Sequence, residues 1–147
     1  MSEQEVLLAR VLDRLLPGDG IDWPAAGQHG LAPRTRALLL DAAGGGEALS
    51  AALERLGGVF TDEQTADAMD AALARFESED PENFERLLTA AYNAYYTDPG
   101  IRDVIARLTG YENRPPQPLG YALEPFDESL LENVKAMKPF WRPDGET

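Results

Sequence analysis

Apolar residues recur along most of this chain at spacings of three and four, the period of an amphipathic helix. In the first such stretch Leu8, Val11, Leu12, Leu15 and Leu16 share one face, while Arg10, Asp13 and Arg14 lie largely off it. Ser2 and Glu5 stand ahead of them at capping-box spacing. Pro17-Gly18-Asp19-Gly20 ends the pattern, and Asp22-Trp23-Pro24-Ala25-Ala26 predicts a short helix with proline in its first turn, stopped by Gly30. Ala32-Pro33 opens a helix carrying Leu38, Leu39 and Leu40, which Gly44-Gly45-Gly46 stops. A shorter one carries Leu49, Ala52, Leu53 and Leu56 and closes at Gly57-Gly58. Thr61 with Gln64 reads as a second capping box, for a helix through Ala66, Met69, Leu73 and Phe76.

Two later helices open on the same device, an Asp cap followed by proline. Asp80-Pro81 leads into Phe84, Leu87, Leu88, Ala91, Tyr92 and Tyr95; Asp98-Pro99 leads into Ile101, Val104, Ile105 and Leu108, with Gly110 as the stop. On helical spacing Tyr92 and Tyr95 are neighbours, and Tyr96 points elsewhere. No alternation of period two stands out, so few or no strands are expected.

After Gly110 the texture changes. Residues 111–147 hold six of the eleven prolines, Pro115, Pro116, Pro118, Pro125, Pro139 and Pro143, and five of the twelve aromatic rings, Tyr111, Tyr121, Phe126, Phe140 and Trp141. The run Arg114 to Gly120 fits neither helix nor central strand and favours polyproline II. One further short helix is predicted from Asp127 through Leu130, Leu131, Val134 and Met137, with Phe126 placed to staple onto Leu131. The expected architecture is all-α: a helical domain over 1–110, built as a compact bundle of about six or seven short helices, and an extended Pro-rich C-terminal arm over 111–147.

Charge narrows the partners. The chain of 147 residues has a net charge of −13, and between Glu47 and Asp98 twelve acids face only Arg55, Arg75 and Arg86. Such an excess opposes binding to nucleic acid or anionic lipid, which call for a basic surface. It suits either a solvated helical face or a patch that meets a basic protein. There is no cysteine, which excludes thiolate catalysis, disulfides and zinc–thiolate sites. No stretch approaches the ~18 apolar residues of a membrane span, and Met1–Arg10 lacks the pattern of a signal peptide.

Candidate chemistry is sparse. His29, the single histidine, lies between Gly27 and Gly30, where a turn residue is a simpler reading than a general base. A di-iron site built from two Glu-x-x-His units is ruled out, since there is one histidine in all and no Glu three residues before it. Glu77, Glu79, Asp80, Glu82 and Glu85 cluster, but mostly at a helix start that favours acids through its dipole. The glycine runs match neither a dinucleotide fingerprint nor a P-loop and read as helix stops and links. No catalytic, cofactor-binding or metal-ligating residue is assigned. Rings and prolines on a stiff arm are better suited to lying on another protein, because restricted dihedrals lose little entropy on docking. The candidate partner-binding residues are Pro115, Pro116, Pro118, Tyr121, Phe140 and Trp141 on the arm, with Trp23, Tyr95 and Tyr96 on the body.

Three segments resemble one family. Val11-Leu12-Asp13-Arg14-Leu15-Leu16-Pro17-Gly18-Asp19, followed by Pro24-Ala25-Ala26-Gly27 and Gly30-Leu31, resembles the N-terminal pattern of the gluconate 2-dehydrogenase subunit 3 family. Ala94-Tyr95-Tyr96-Thr97-Asp98-Pro99 resembles its aromatic-aromatic-[ST]-Asp-Pro step, and Leu108-Thr109-Gly110-Tyr111 its Gly-Tyr sequel. The resemblance implies a non-catalytic small subunit that helps fold or stabilise a large FAD-dependent oxidoreductase of the glucose–methanol–choline (GMC) type acting on sugars or other alcohols. FAD is then expected in the partner and no cofactor in this chain. Such relatives commonly begin with a twin-arginine leader; Met1–Arg10 shows none, so the expected location is cytoplasmic. Two other readings stay open: a free-standing acidic helical adaptor or regulator, and an enzyme with a carboxylate-based site.

Overall fold

The computed structural model describes residues 2–61, 63–111 and 126–137, and the chain divides into one unit over Met1–Asn113 and another over Arg114–Thr147. The fold is all-α. In the first unit the elements are α1 (Glu3–Leu15), α2 (Ala32–Asp41), α3 (Gly45–Leu56), α4 (Ala66–Glu79), α5 (Pro81–Tyr96) and α6 (Pro99–Thr109). No strand occurs among the described residues.

Helix α5 is the hub. Asp80 caps it by accepting from the Asn83 amide, and Pro81 fills the first turn, where its missing N–H is no loss. Its buried face runs Phe84, Leu87, Ala90, Ala91, Ala94 and Tyr95. The small residues in that row let α2 and α3 come close, and these two helices also pack on each other. Helix α1 lies against α2 and α3 through Leu8, Val11 and Leu12, while α4 meets α5 through an edge-to-face pair, Phe76 on Phe84, with centroids 5.5 Å apart. Each fully buried large apolar side chain in this core stabilises the fold by about 1.5–3 kcal/mol.

Several sequence expectations hold at the caps. Ser2 and Glu5 make a complete capping box, Asp98 caps α6, and Gly110 ends α6 in the left-handed region at φ 71°. Others need correction. Residues 22–26 are not helical: the Ala26 amide, which would close a helical turn on the Asp22 carbonyl, donates to the Leu16 carbonyl instead, and the Asp19 carboxylate holds the Ile21, Asp22 and Trp23 amides in a turn. Thr61 and Gln64 do not open α4. Phe60 is buried with its carbonyl held by Arg10, the Gln64 amide turns back to the Thr61 carbonyl, and Thr65 caps the helix instead by accepting from Ala68. The glycine run stops α2 only in part: Gly45 and Gly46 are the first two residues of α3.

In the second unit Asp127 accepts from Ser129 and starts a 3-10 turn, Glu128–Leu131, that passes into the single α-turn α7 (Glu132–Lys135). This is shorter than the helix expected through Met137, and Phe126, 64% exposed, is too open for the expected staple.

Two substitutions test the packing. A Cβ at Gly45 would fall 1.7 Å from the Leu39 carbonyl oxygen, whereas one at Gly46 would meet nothing. Gly45→Ala is expected to lower stability by at least about 2 kcal/mol, and Gly46→Ala to raise it by about 0.5–1 kcal/mol, both read by urea melts. Thr35 on α2 is fully buried and its hydroxyl has no hydrogen-bond partner. Thr35→Val keeps the shape and removes the orphan group, so a gain of about 1 kcal/mol is expected in the same assay.

Candidate protein-interaction site

The α1–α2 connection, residues 16–31, carries much of the chemistry of the helical unit. The Asp19 carboxylate accepts from the amides of Ile21, Asp22 and Trp23 at 2.8–2.9 Å, and the Asp19 amide donates to the Trp23 carbonyl. These amides, the Ile21 amide foremost, hold the Asp19 carboxyl below its usual range. The loop is closed on its own start where the Ala26 amide donates to the Leu16 carbonyl. Asp13, on α1, accepts from the Gln28 amide at 2.9 Å. Gly27 passes so close to α1 that a Cβ there would lie 2.0 Å from the Ala9 carbonyl oxygen, which leaves room for glycine alone.

Three further ties reach α5 and α6. The Tyr95 hydroxyl donates to the Pro24 carbonyl at 2.8 Å. Burial raises the Tyr95 pKa and keeps the phenol a donor. His29 Nε2 lies 2.9 Å from Asp98 Oδ1, the same oxygen that accepts from the Gly100 and Ile101 amides at the start of α6. Burial works against ionisation of Asp98 most strongly, but His29 and the two amides outweigh it and hold the carboxyl low. Arg107, near the end of α6, pairs with Asp22 at 2.8 Å.

The loop and α6 enclose a groove of about 700 Å³, lined by Asp13, Trp23, His29 and Val104 among others. No serine, threonine or cysteine lines it, so a nucleophile–His–Asp arrangement does not assemble there. Among the described residues no group of three His, Asp or Glu side chains converges as a metal site. Three of the five acids in the cluster read from the sequence form ion pairs: Glu79 and Asp80 with Arg55, and Glu82 with Arg86.

The predicted partner-binding residues separate. Trp23 is half-buried, packs against the core and lines the groove. Tyr95, 4% exposed, belongs to the core and not to a partner surface, since its ring fills the α5 face and its hydroxyl is used inside the chain. Tyr96 is 51% exposed and does not point away from its neighbours: it packs edge-on against Tyr95 at 5.2 Å and lies 6.1 Å from Tyr92. The i, i+4 spacing of Tyr92 and Tyr96 would have foretold that contact. Pro115, Pro116, Pro118, Tyr121, Phe140 and Trp141 lie outside the described residues. The His29–Asp98 link, across 69 positions, left no local signal in the sequence.

No protein-family model, curated protein or solved structure matches this chain.

The Asp98 link gives a pH test. Because the folded carboxyl titrates below its unfolded value of about 3.9, its stabilisation is complete above that pH and fades as the pH falls through the folded value. Asp98→Asn keeps a capping residue and removes the charge. The difference in unfolding free energy between it and the parent chain is expected to be largest above pH 5 and to shrink below about pH 4. A difference that does not change with pH would count against an ionised Asp98. Asp98→Ala, which also loses the cap, is expected to cost about 1 kcal/mol more than the Asn variant.

Proposed function

We propose that this chain is a non-catalytic small subunit that binds and stabilises a large FAD-dependent oxidoreductase of the GMC type acting on sugars or other alcohols. One observation carries the reading. The segments that resemble the gluconate 2-dehydrogenase subunit 3 family are not scattered matches. The first two meet in space: Leu16 accepts from Ala26 within the first, and Tyr95 of the second donates to Pro24 of the first, while Asp13 and Asp98 reach Gln28 and His29, which lie between the quoted stretches. A resemblance that selects one interlocked unit is stronger support than the same motifs taken singly. The acid excess of the chain and the ring-bearing, proline-rich composition of 111–147 support a protein-binding role by their chemistry. On this reading the redox chemistry and the FAD belong to the partner.

Co-expression tests it. A tagged full-length chain is expected to bring down a GMC-type flavoprotein encoded in the same genome, with the eluate showing flavin absorbance near 450 nm and roughly one flavin per complex. A chain ending at Gly110 is expected to retain its helical circular dichroism and to recover much less flavoprotein. Recovery of no flavoprotein by the full-length chain, or turnover of an alcohol by this chain alone, would reject the proposal. Equal recovery by the shortened chain would remove the arm from the binding role.

A further inference from the structure

One residue on the helical unit is displayed against the ordinary rule of burial. Ile21 is 87% exposed. An isolated exposed isoleucine is common, but this one stands on a scaffold. Its own amide and the next two are held by the Asp19 carboxylate, Asp22 is held by Arg107, and Pro24 is held by Tyr95. The loop is therefore ordered before any partner arrives, so docking it costs little further conformational entropy. Ile21 and Trp23 both line the 700 Å³ groove, which Val104 closes from α6.

We propose that this loop is a docking knob: Ile21 inserts into an apolar pocket on a protein surface rimmed by arginine or lysine, while an apolar side chain of that surface enters the adjoining groove. The inference rests on the proposed function, under which that surface belongs to the flavoprotein subunit. Charge selects this occupant over others. Asp13 and Asp22 line the groove and no arginine or lysine does; Arg107 reaches its edge only to hold Asp22. A second copy of this chain would bring the same carboxylates and a net charge of −13 to the contact. Nucleic acid and anionic lipid would meet no cation in the lining.

The test uses the full-length chain and the purified flavoprotein subunit, with Kd measured by titration calorimetry. Ile21→Ser removes the apolar knob and leaves every backbone bond to Asp19 in place, so its thermal melt should match the parent chain. Its Kd is expected to rise about 10- to 100-fold, the range for losing one buried large aliphatic side chain. Leu40→Ser, at an exposed leucine on α2, serves as control and is expected to leave Kd within about twofold. Raising NaCl from about 0.05 to 0.5 M should weaken the parent complex several-fold, as screening of opposite charges requires. If a complex forms and Ile21→Ser binds like the parent chain, or if Leu40→Ser weakens binding equally, the knob is refuted and the subunit reading stands. A Kd indifferent to salt refutes the basic rim. If the parent chain forms no complex at all, both readings fall.

Discussion

The packing of α5 is the constraint from which the other features follow. Ala90, Ala91 and Ala94 leave its surface low enough for α2 and α3 to approach, Leu87 is fully buried, and Phe84 meets Phe76 of α4. Tyr95 then projects at the end of the same buried face and reaches the Pro24 carbonyl. The helix that organises the core thus also sets the height of the α1–α2 loop. One turn further on, Asp98 ends the α5–α6 connection, caps α6 and holds His29 from that loop. A buried face of six residues fixes the core at one end and the loop at the other.

Ion pairs play a different part. Arg14 pairs with Asp70 between α1 and α4, Arg55 reaches Glu79 and Asp80 from α3, and Arg107 reaches Asp22 from α6. These groups are well solvated, and such pairs contribute at most about 1 kcal/mol each. Their use is in register: each joins elements that are distant in sequence, and each relieves a little of the repulsion that a net charge of −13 imposes.

What the sequence made legible was local. Asp80-Pro81, Asp98-Pro99 and Ser2 with Glu5 mark helix starts because a cap needs only residues within one turn of each other. The stripe of α5 was readable in part: Phe84, Leu87, Ala91 and Tyr95 are buried as expected, whereas Tyr92 is exposed and the buried Ala90 and Ala94 lie outside the expected stripe. The misreadings came where a side chain competed with the backbone pattern. Proline in a first turn favoured a helix at 22–26, but the Ala26 amide that would close it donates to Leu16, across the loop. Thr61 reads as the cap of α4 in the sequence, but Phe60 just before it is buried and Thr65 caps the helix instead. In the candidate site, Trp23 was flagged by its ring, while Ile21, His29 and Asp98 were not flagged together, because what joins them is a fold of the loop over α1, α5 and α6.

The loop also reconciles two demands on a chain with so much acid. Long-range attraction to a cationic surface speeds encounter and orients it, but solvated charges add little affinity once contact is made. Affinity calls for apolar area that is desolvated on contact and rigid beforehand. On the proposed reading the body of this chain supplies the first through its surplus carboxylates. On that proposal the Asp19-bound loop supplies the second, and it does so with an exposed carboxylate whose Oδ1 is held by three backbone amides. An acid used in that way braces the one isoleucine that the fold holds out in water.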